Sequence, residues 1–244
     1  MSTLIATPQE QRALLEVQEL DAQIARAKTR LASLRGDEEY AAAQAEAKHL
    51  AAQLAEAEQA REDADRDALA AADTASATRA RRDRTRSRLQ EGQVSPKDLE
   101  GLVHEEATLE ALLEQHDAAA LAAMQAADAA TAAVAETTQR LETARRTVSE
   151  RAEHLRAEGA EVTKVGRRLA AERAQTAAGV PQPVLARYEK IRDRNAGLGV
   201  GTLTGSHSGP AGTDLSPVEL ERLRALPENV LAECPVTGVL LVRL

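Results

Sequence analysis

The sequence predicts a mainly α-helical protein, a long antiparallel coiled-coil hairpin followed by a small C-terminal α+β domain. Three observations carry that expectation. Small and apolar residues recur at heptad spacing through two long arms rich in Ala, Glu and Arg. Pro96 is the only proline between Pro8 and Pro181 and interrupts the pattern almost midway. Beyond Gly179 the composition changes, six of the eight prolines lying at or past Pro181. The expected domains are therefore 1–179, a hairpin with its tip near 91–97, and 180–244.

Composition supports helices over an ordinary globular core. Hydrophobic residues make up 43% of the chain, but about half are alanine, and there is no Phe or Trp. Alanine buries little apolar area yet has the best helix propensity. Charged residues at 29% complete a long-helix composition.

The first arm starts with Thr7 as N-cap and Pro8 at the first helical position. Val17, Leu20, Ile24, Ala27, Leu31 and Leu34 then form a coiled-coil seam. Gly36-Asp37 loosens the helix, with no proline there to end it. Leu50 and Leu54 resume the stripe, followed by Ala57, Ala64, Ala68 and Ala71, and the arm ends near Gln90. Gly92 and Pro96 break the chain. The second arm restarts with Ser95 as N-cap, Pro96 at N1 and Asp98 suiting the dipole. Leu113, Ala120, Ala127, Val134, Leu141, Val148, Leu155, Val162 and Leu169 follow at intervals of seven, and Gly179 and Pro181 close the arm. A turn near residue 93 sets position i opposite roughly 187 − i, with small residues facing small ones.

A short helix from Pro181 through Tyr188 and Ile191 to Arg194 precedes a glycine-rich segment, 197–212. Ser216-Pro217-Val218-Glu219 is a capping box that opens another helix. Val230 to Cys234 and Val239 to Val242, joined by Pro235-Val236-Thr237-Gly238, read as a hairpin.

The segment Cys234-Pro235-Val236-Thr237-Gly238 carries the most chemistry. In a C-P-x-C-G turn, two thiolates two residues apart project toward one zinc. Here Thr237 stands at the second ligand position. With this motif, the hinge Gly92-Gln93-Val94-Ser95-Pro96-Lys97-Asp98-Leu99, the stretch Tyr188-Glu189-Lys190-Ile191-Arg192 and the ending from Leu215, the chain resembles the bacterial C4-type zinc ribbon proteins with an N-terminal helical hairpin. The resemblance covers nearly the whole chain. It implies a terminal ribbon with two CxxC pairs, taken in that family as a nucleic-acid-binding or protein-docking module. The implied ligand positions are Ser208, Ala211, Cys234 and Thr237, so three of the four thiolates are missing. Hydroxyls replace thiolates poorly around zinc. The expectation is a zinc-ribbon-like fold with no metal or other cofactor, held by Leu203, Leu215, Leu220, Leu223, Val230, Leu231, Val239, Leu240 and Leu241.

A formal net charge of −8 gives no global case for nucleic-acid binding, so any such role needs a local patch. Arg79, Arg81, Arg82, Arg84, Arg86 and Arg88, with Lys97, form a basic collar at the expected tip. Arg187, Lys190, Arg192 and Arg194 form a second group. A solvated helix face is the commoner meaning of such runs, and no aromatic residue is interleaved to stack bases. The five histidines have no metal-ligand spacing, and Gly197-Leu198-Gly199-Val200-Gly201 lacks the flanks of a phosphate loop.

One cysteine, the absence of a signal-peptide pattern and the absence of eighteen consecutive strongly apolar residues lead to the expectation of a cytoplasmic chain without a membrane partner. The expected function is a non-enzymatic adaptor that binds a protein or a nucleic acid. The alternative is a structural coiled coil that forms a homodimer or scaffold through its alanine faces.

Overall fold

A computed structural model describes residues 4–92 and 95–243, apart from the side chains of Pro96, Lys97 and Thr213. Gln93, Val94 and the Lys97 side chain, all assigned to the tip, lie outside the described residues. The elements are α1 (Pro8–Arg35), α2 (Glu38–Glu91), α3 (Pro96–Ala177), α4 (Gln182–Arg194), β1 (Val200–Thr204), β2 (His207–Ser208), β3 (Thr213–Asp214), α5 (Pro217–Arg224), β4 (Ala232–Glu233) and β5 (Leu240–Arg243). The fold is a long helical hairpin with a small C-terminal sheet region. Two compact units are distinguished, Met1–Asp37 with Glu153–Leu244, and Glu38–Ala152.

The expected caps form. Thr7 and Glu10 make a capping box at α1, and Ser216 and Glu219 make one at α5. At α3 the Asp98 N–H donates to Ser95 Oγ, and the Ser95 hydroxyl donates to the Asp98 carboxylate at 2.6 Å. The first arm is two helices where one was expected. Gly36 turns its N–H back to the carbonyls of Ala32 and Ser33, which ends α1 without a proline. Glu38 and Glu39 then open α2, where carboxylates suit the positive end of the dipole.

Within the unit Glu38–Ala152, α2 and the first part of α3 meet along one seam. Buried and half-buried positions on α2 include the stripe 40, 43, 47, 50, 54, 57, 61, 64, 68, 71, 75, 78, 82, 85 and 89. These steps of three and four extend the expected stripe, with Arg61, Thr78, Arg82 and Thr85 as polar members that the apolar pattern missed. On α3 every member of the heptad series from Leu113 to Leu169 is buried or half-buried.

The register differs from 187 − i. The hydroxyl of Thr78 lies 2.9 Å from His116 Nδ1, where that rule places residue 109. In the other unit a Cβ on Gly166 would lie 4.0 Å from the Ala27 methyl, where the rule gives residue 160. Residues 109 and 116 are both seam positions one heptad apart, so a heptad pattern determines register only to a multiple of seven.

The unit Met1–Asp37 with Glu153–Leu244 holds the larger side chains. Its sheet has strand order β3-β2-β1-β5-β4, with β1 and β5 parallel and the other pairs antiparallel. The expected β4–β5 hairpin is present, and the glycine-rich segment supplies β1 and β2, which the sequence did not suggest. Successive residues of β5 face opposite sides. Leu240 and Val242 join Leu14 and Val17 of α1 and Val184, Tyr188 and Ile191 of α4 in one core. Leu241 joins Leu203, Leu215, Leu223, Ala232 and Cys234 in a second. Seven of the nine residues expected to hold this domain are buried, while Leu220 and Val230 are half-buried.

Among the described residues α3 also meets the length and composition of a membrane span, an 18-residue window reaching mean hydropathy 1.3. The expectation that no such stretch exists is corrected to that extent. It weighed only strongly apolar residues, and this window is apolar through alanine.

Candidate functional site

The four implied ligand positions, three of them without a thiolate, divide between two turns. Ala211 and Gly212 donate backbone N–H groups to the Ser208 carbonyl, and Gly238 donates to that of Cys234. Both turns bring their first residue inward, leaving Ser208 0% and Cys234 2% exposed, with Ser208 Oγ 3.4 Å from Cys234 Sγ. Ala211 packs against the same core. Burial pushes the Cys234 thiol up, but hydrogen bonding with Ser208 and Thr237 brings it below the usual thiol value. All four positions therefore meet in one small region. Its donor set is one thiol, two hydroxyls and a methyl, which does not fit zinc. Among the described residues no three His, Cys, Asp or Glu side chains gather as metal ligands.

The basic collar is largely neutralised. Arg79 pairs with Asp117 at 2.8 Å and Arg81 with Glu105 at 2.7 Å, both across to α3. Arg86 lies 3.7 Å from Glu106, and Arg82 pairs with its neighbour Asp83. Arg84 donates to the Ala80 carbonyl. Among the described residues Arg84 and Arg88 have no acidic partner. In the second group Arg187 pairs with Glu233, and Arg192 is drawn inward by Asp21, while Lys190 and Arg194 are exposed.

Asp21 organises a polar cluster that sequence reasoning missed. It accepts hydrogen bonds from Tyr188 Oη at 2.8 Å, Arg192 at 2.7 Å and Arg173 at 3.2 and 3.3 Å. Arg173 also donates to Glu189, and the Arg192 guanidinium lies 5.8 Å from the centroid of the Tyr188 ring. Burial acts to raise the Asp21 carboxyl, but the bonds from Tyr188, Arg173 and Arg192 outweigh it and hold it below the usual carboxylate range. Burial and Asp21 together push the Tyr188 phenol far up. The cluster ties α1, α3 and α4 together and accounts for Tyr188, Glu189 and Arg192 in the recognisable stretch. Its signal was a carboxylate four residues after Val17, beside the seam. Gln18 adds a second tie, accepting from the Gly199 N–H at 2.7 Å and donating to the Gly197 carbonyl.

Beside the outer strand β4 lies a groove of about 780 Å³. Its apolar lining includes Leu4, Pro183, Leu226 and Leu231, and Arg187 and Lys190 stand among its walls. The segment before α1 runs along part of this edge, Leu231 donating to the Leu4 carbonyl and Ala6 to that of Asn229.

Comparison with known proteins follows the hairpin. A family model for the CT398-like coiled coil hairpin domain matches residues 17–196. A protein of Mycobacterium tuberculosis named as uncharacterised is 27% identical over 235 residues, covering 96% of each chain. A solved structure from Mycobacterium smegmatis aligns with a TM-score of 0.79 at 24% identity, over 99% of this chain and 100% of that one. CT398 of Chlamydia trachomatis aligns with a TM-score of 0.62 at 16% identity, over 96% and 98%. At these identities the solved structures speak for the fold.

Proposed function

The chain belongs to the CT398-like coiled-coil hairpin family, and from that premise we propose that it is a non-enzymatic adaptor that docks a protein through its C-terminal domain. The groove beside β4 carries this reading. An apolar concavity at the edge of a sheet, with the Arg187–Glu233 pair and Lys190 in its wall, suits a largely apolar protein segment. The arginine collar supports protein over nucleic acid, because four of its six guanidinium groups already pair with carboxylates. Contacts already neutralised release few counterions from a phosphate backbone.

The test is retention of partners from lysate with and without nuclease, using the wild type and an Ala186→Arg variant that narrows the groove. The adaptor reading expects nuclease-resistant capture that Ala186→Arg abolishes. Capture lost to nuclease and insensitive to Ala186→Arg would favour nucleic acid.

The C-terminal domain also reads as a zinc-ribbon-like module whose metal has been replaced by packing. The Ser208–Cys234 contact and the two turn carbonyls support that reading. Metal analysis of chelator-free protein is expected to show no stoichiometric zinc. The triple variant Ser208→Cys, Ala211→Cys, Thr237→Cys is expected to bind one zinc per chain, and failure to bind would sink the correspondence of positions.

A further inference from the structure

A second hollow, of about 440 Å³, lies where the start of α1, the end of α5 and the end of β5 come together. Its apolar lining includes Pro8, Leu226 and Val242, and its cationic lining is Arg12, Arg224 and Arg243. Arg243 is committed to the fold. Its guanidinium donates to the carbonyls of Leu223 and Leu226 at 2.7 Å, of Pro227 at 2.6 Å and of Val230 at 3.0 Å. The buried Gln11 amide holds the same turn from α1, donating to the Glu228 carbonyl at 2.8 Å. The wall of the hollow is therefore fixed before any ligand arrives, which lowers the cost of binding.

Arg12 and Arg224 are not committed. Both are exposed, and among the described residues neither side chain has an ion pair or a hydrogen bond. Arg224 ends α5, where a guanidinium ordinarily serves the last carbonyls, but Arg243 already takes those of Leu223 and Leu226. The two arginines come from opposite ends of the chain and line one concavity. Elsewhere the fold brings arginines against carboxylates, as with Arg79, Arg81 and Arg192. Here Glu228 is the one carboxylate on the lining, against three guanidinium groups. A concave surface with an excess of one charge and low-dielectric walls concentrates ions of the other sign.

We propose that this hollow binds a carboxylate on an apolar stem, supplied by an acidic side chain of a docked protein segment, with Arg12 and Arg224 holding the carboxylate and Pro8, Leu226 and Val242 covering the stem. A guanidinium pairs with carboxylate or phosphate alike. Glu228 favours the carboxylate, because a phosphate monoester carries roughly two negative charges at neutral pH and is repelled more strongly. The apolar lining favours it as well, since a bare oxyanion leaves that surface uncovered. Leu226 also lines the groove beside β4, so the two hollows adjoin. The inference rests on the adaptor reading for the source of the carboxylate, whereas the site itself is tested without any partner.

Titration of the full chain with sodium hexanoate, acetate or inorganic phosphate at constant ionic strength tests the site, read by the amide resonances of Gln11, Arg12, Arg224 and Glu228. Hexanoate is expected to shift them saturably and to bind about tenfold more tightly than acetate, its extra methylene groups being partly covered. Phosphate is expected to bind more weakly than hexanoate. Arg12→Gln with Arg224→Gln is expected to weaken hexanoate binding about tenfold, with circular dichroism unchanged because both side chains are exposed and unpaired. Glu228→Gln is expected to tighten it. Shifts that do not saturate overturn the inference. So does hexanoate binding that survives Arg12→Gln with Arg224→Gln. Phosphate binding as tightly as hexanoate overturns it in favour of a phosphate group. Ala186→Arg lies in the neighbouring groove and is expected to leave hexanoate binding unchanged, so the two readings fail separately. Partner capture without hexanoate binding sinks this inference alone, and hexanoate binding without partner capture sinks the adaptor reading while the carboxylate site stands.

Discussion

At the scale of single residues, Asp21 and Gly199 hold the C-terminal part together. Asp21 offsets two guanidinium groups at once, and its side chain is 13% exposed. Asp21→Ala leaves Arg173 with Glu189 alone, Arg192 with Asp193 alone and the buried Tyr188 hydroxyl without its acceptor, and is expected to cost about 2 kcal/mol, as for an orphaned buried polar group, read by denaturant unfolding. The sign with pH follows from the depressed carboxyl. Its contribution is present above the unfolded carboxylate value and is lost as pH falls through the lower folded value. Acid titration of stability should therefore be shallower for Asp21→Asn than for wild type. Gly199 acts through what it lacks. A Cβ there would stand 2.5 Å from two Tyr188 ring carbons, and both are fixed in the core. Gly199→Ala is expected to cost about 2 kcal/mol as an overpacked site. A variant as stable as wild type would refute that account.

At the scale of elements, register is the property most exposed to error. The α2 seam meets α3 with Thr78 beside His116, although Leu109 lies on the same stripe one heptad nearer the tip. The difference is measurable. A Thr78→Cys, His116→Cys pair is expected to close an intrachain disulfide under mild oxidation, while Thr78→Cys, Leu109→Cys is not. Cys234 is too buried to compete. The reverse result would restore the register of 187 − i. The break at Gly36 is a second property of this scale. Its backbone angles suit any residue, and a Cβ would meet only the Ala32 carbonyl at 3.9 Å. Gly36→Ala should therefore be tolerated, because the interruption is made by hydrogen bonds rather than by glycine's freedom.

At the scale of the molecule, the two units differ in what they bury. Glu38–Ala152 relies on a seam largely of alanine, with few large residues such as Leu50, Leu109, Leu113 and Leu141. The other unit has two cores filled by Leu, Val, Ile and Tyr188. Burial of larger side chains stabilises more, by roughly 25 cal/mol per Å² of apolar area. Heating should therefore melt the alanine seam first and give a transition broader than two-state. In a Tyr40→Phe variant, Tyr188 alone should report the later transition while circular dichroism reports both. A single coincident transition would contradict the division.

The helical hairpin, its caps and the buried heptad series were legible in the sequence, because they depend on local periodicity and on residues within one turn of each other. Thr7, Ser95 and Ser216 each cap where their neighbours required. The order of the sheet was not legible. β1 lies in a glycine-rich segment with little strand propensity, and its parallel pairing with β5 comes from chain distant in sequence. Nor was the fate of the charged residues. Arg192 was exposed by composition and drawn inward by Asp21, far away on α1. The collar arginines counted as free cations until α3 brought carboxylates against them. Sequence alone determined where helices start, stop and present their stripes, since those are contests between neighbours. Only the tertiary structure decided register, sheet order and which charges remain unpaired, since heptads repeat and long-range partners carry no local mark.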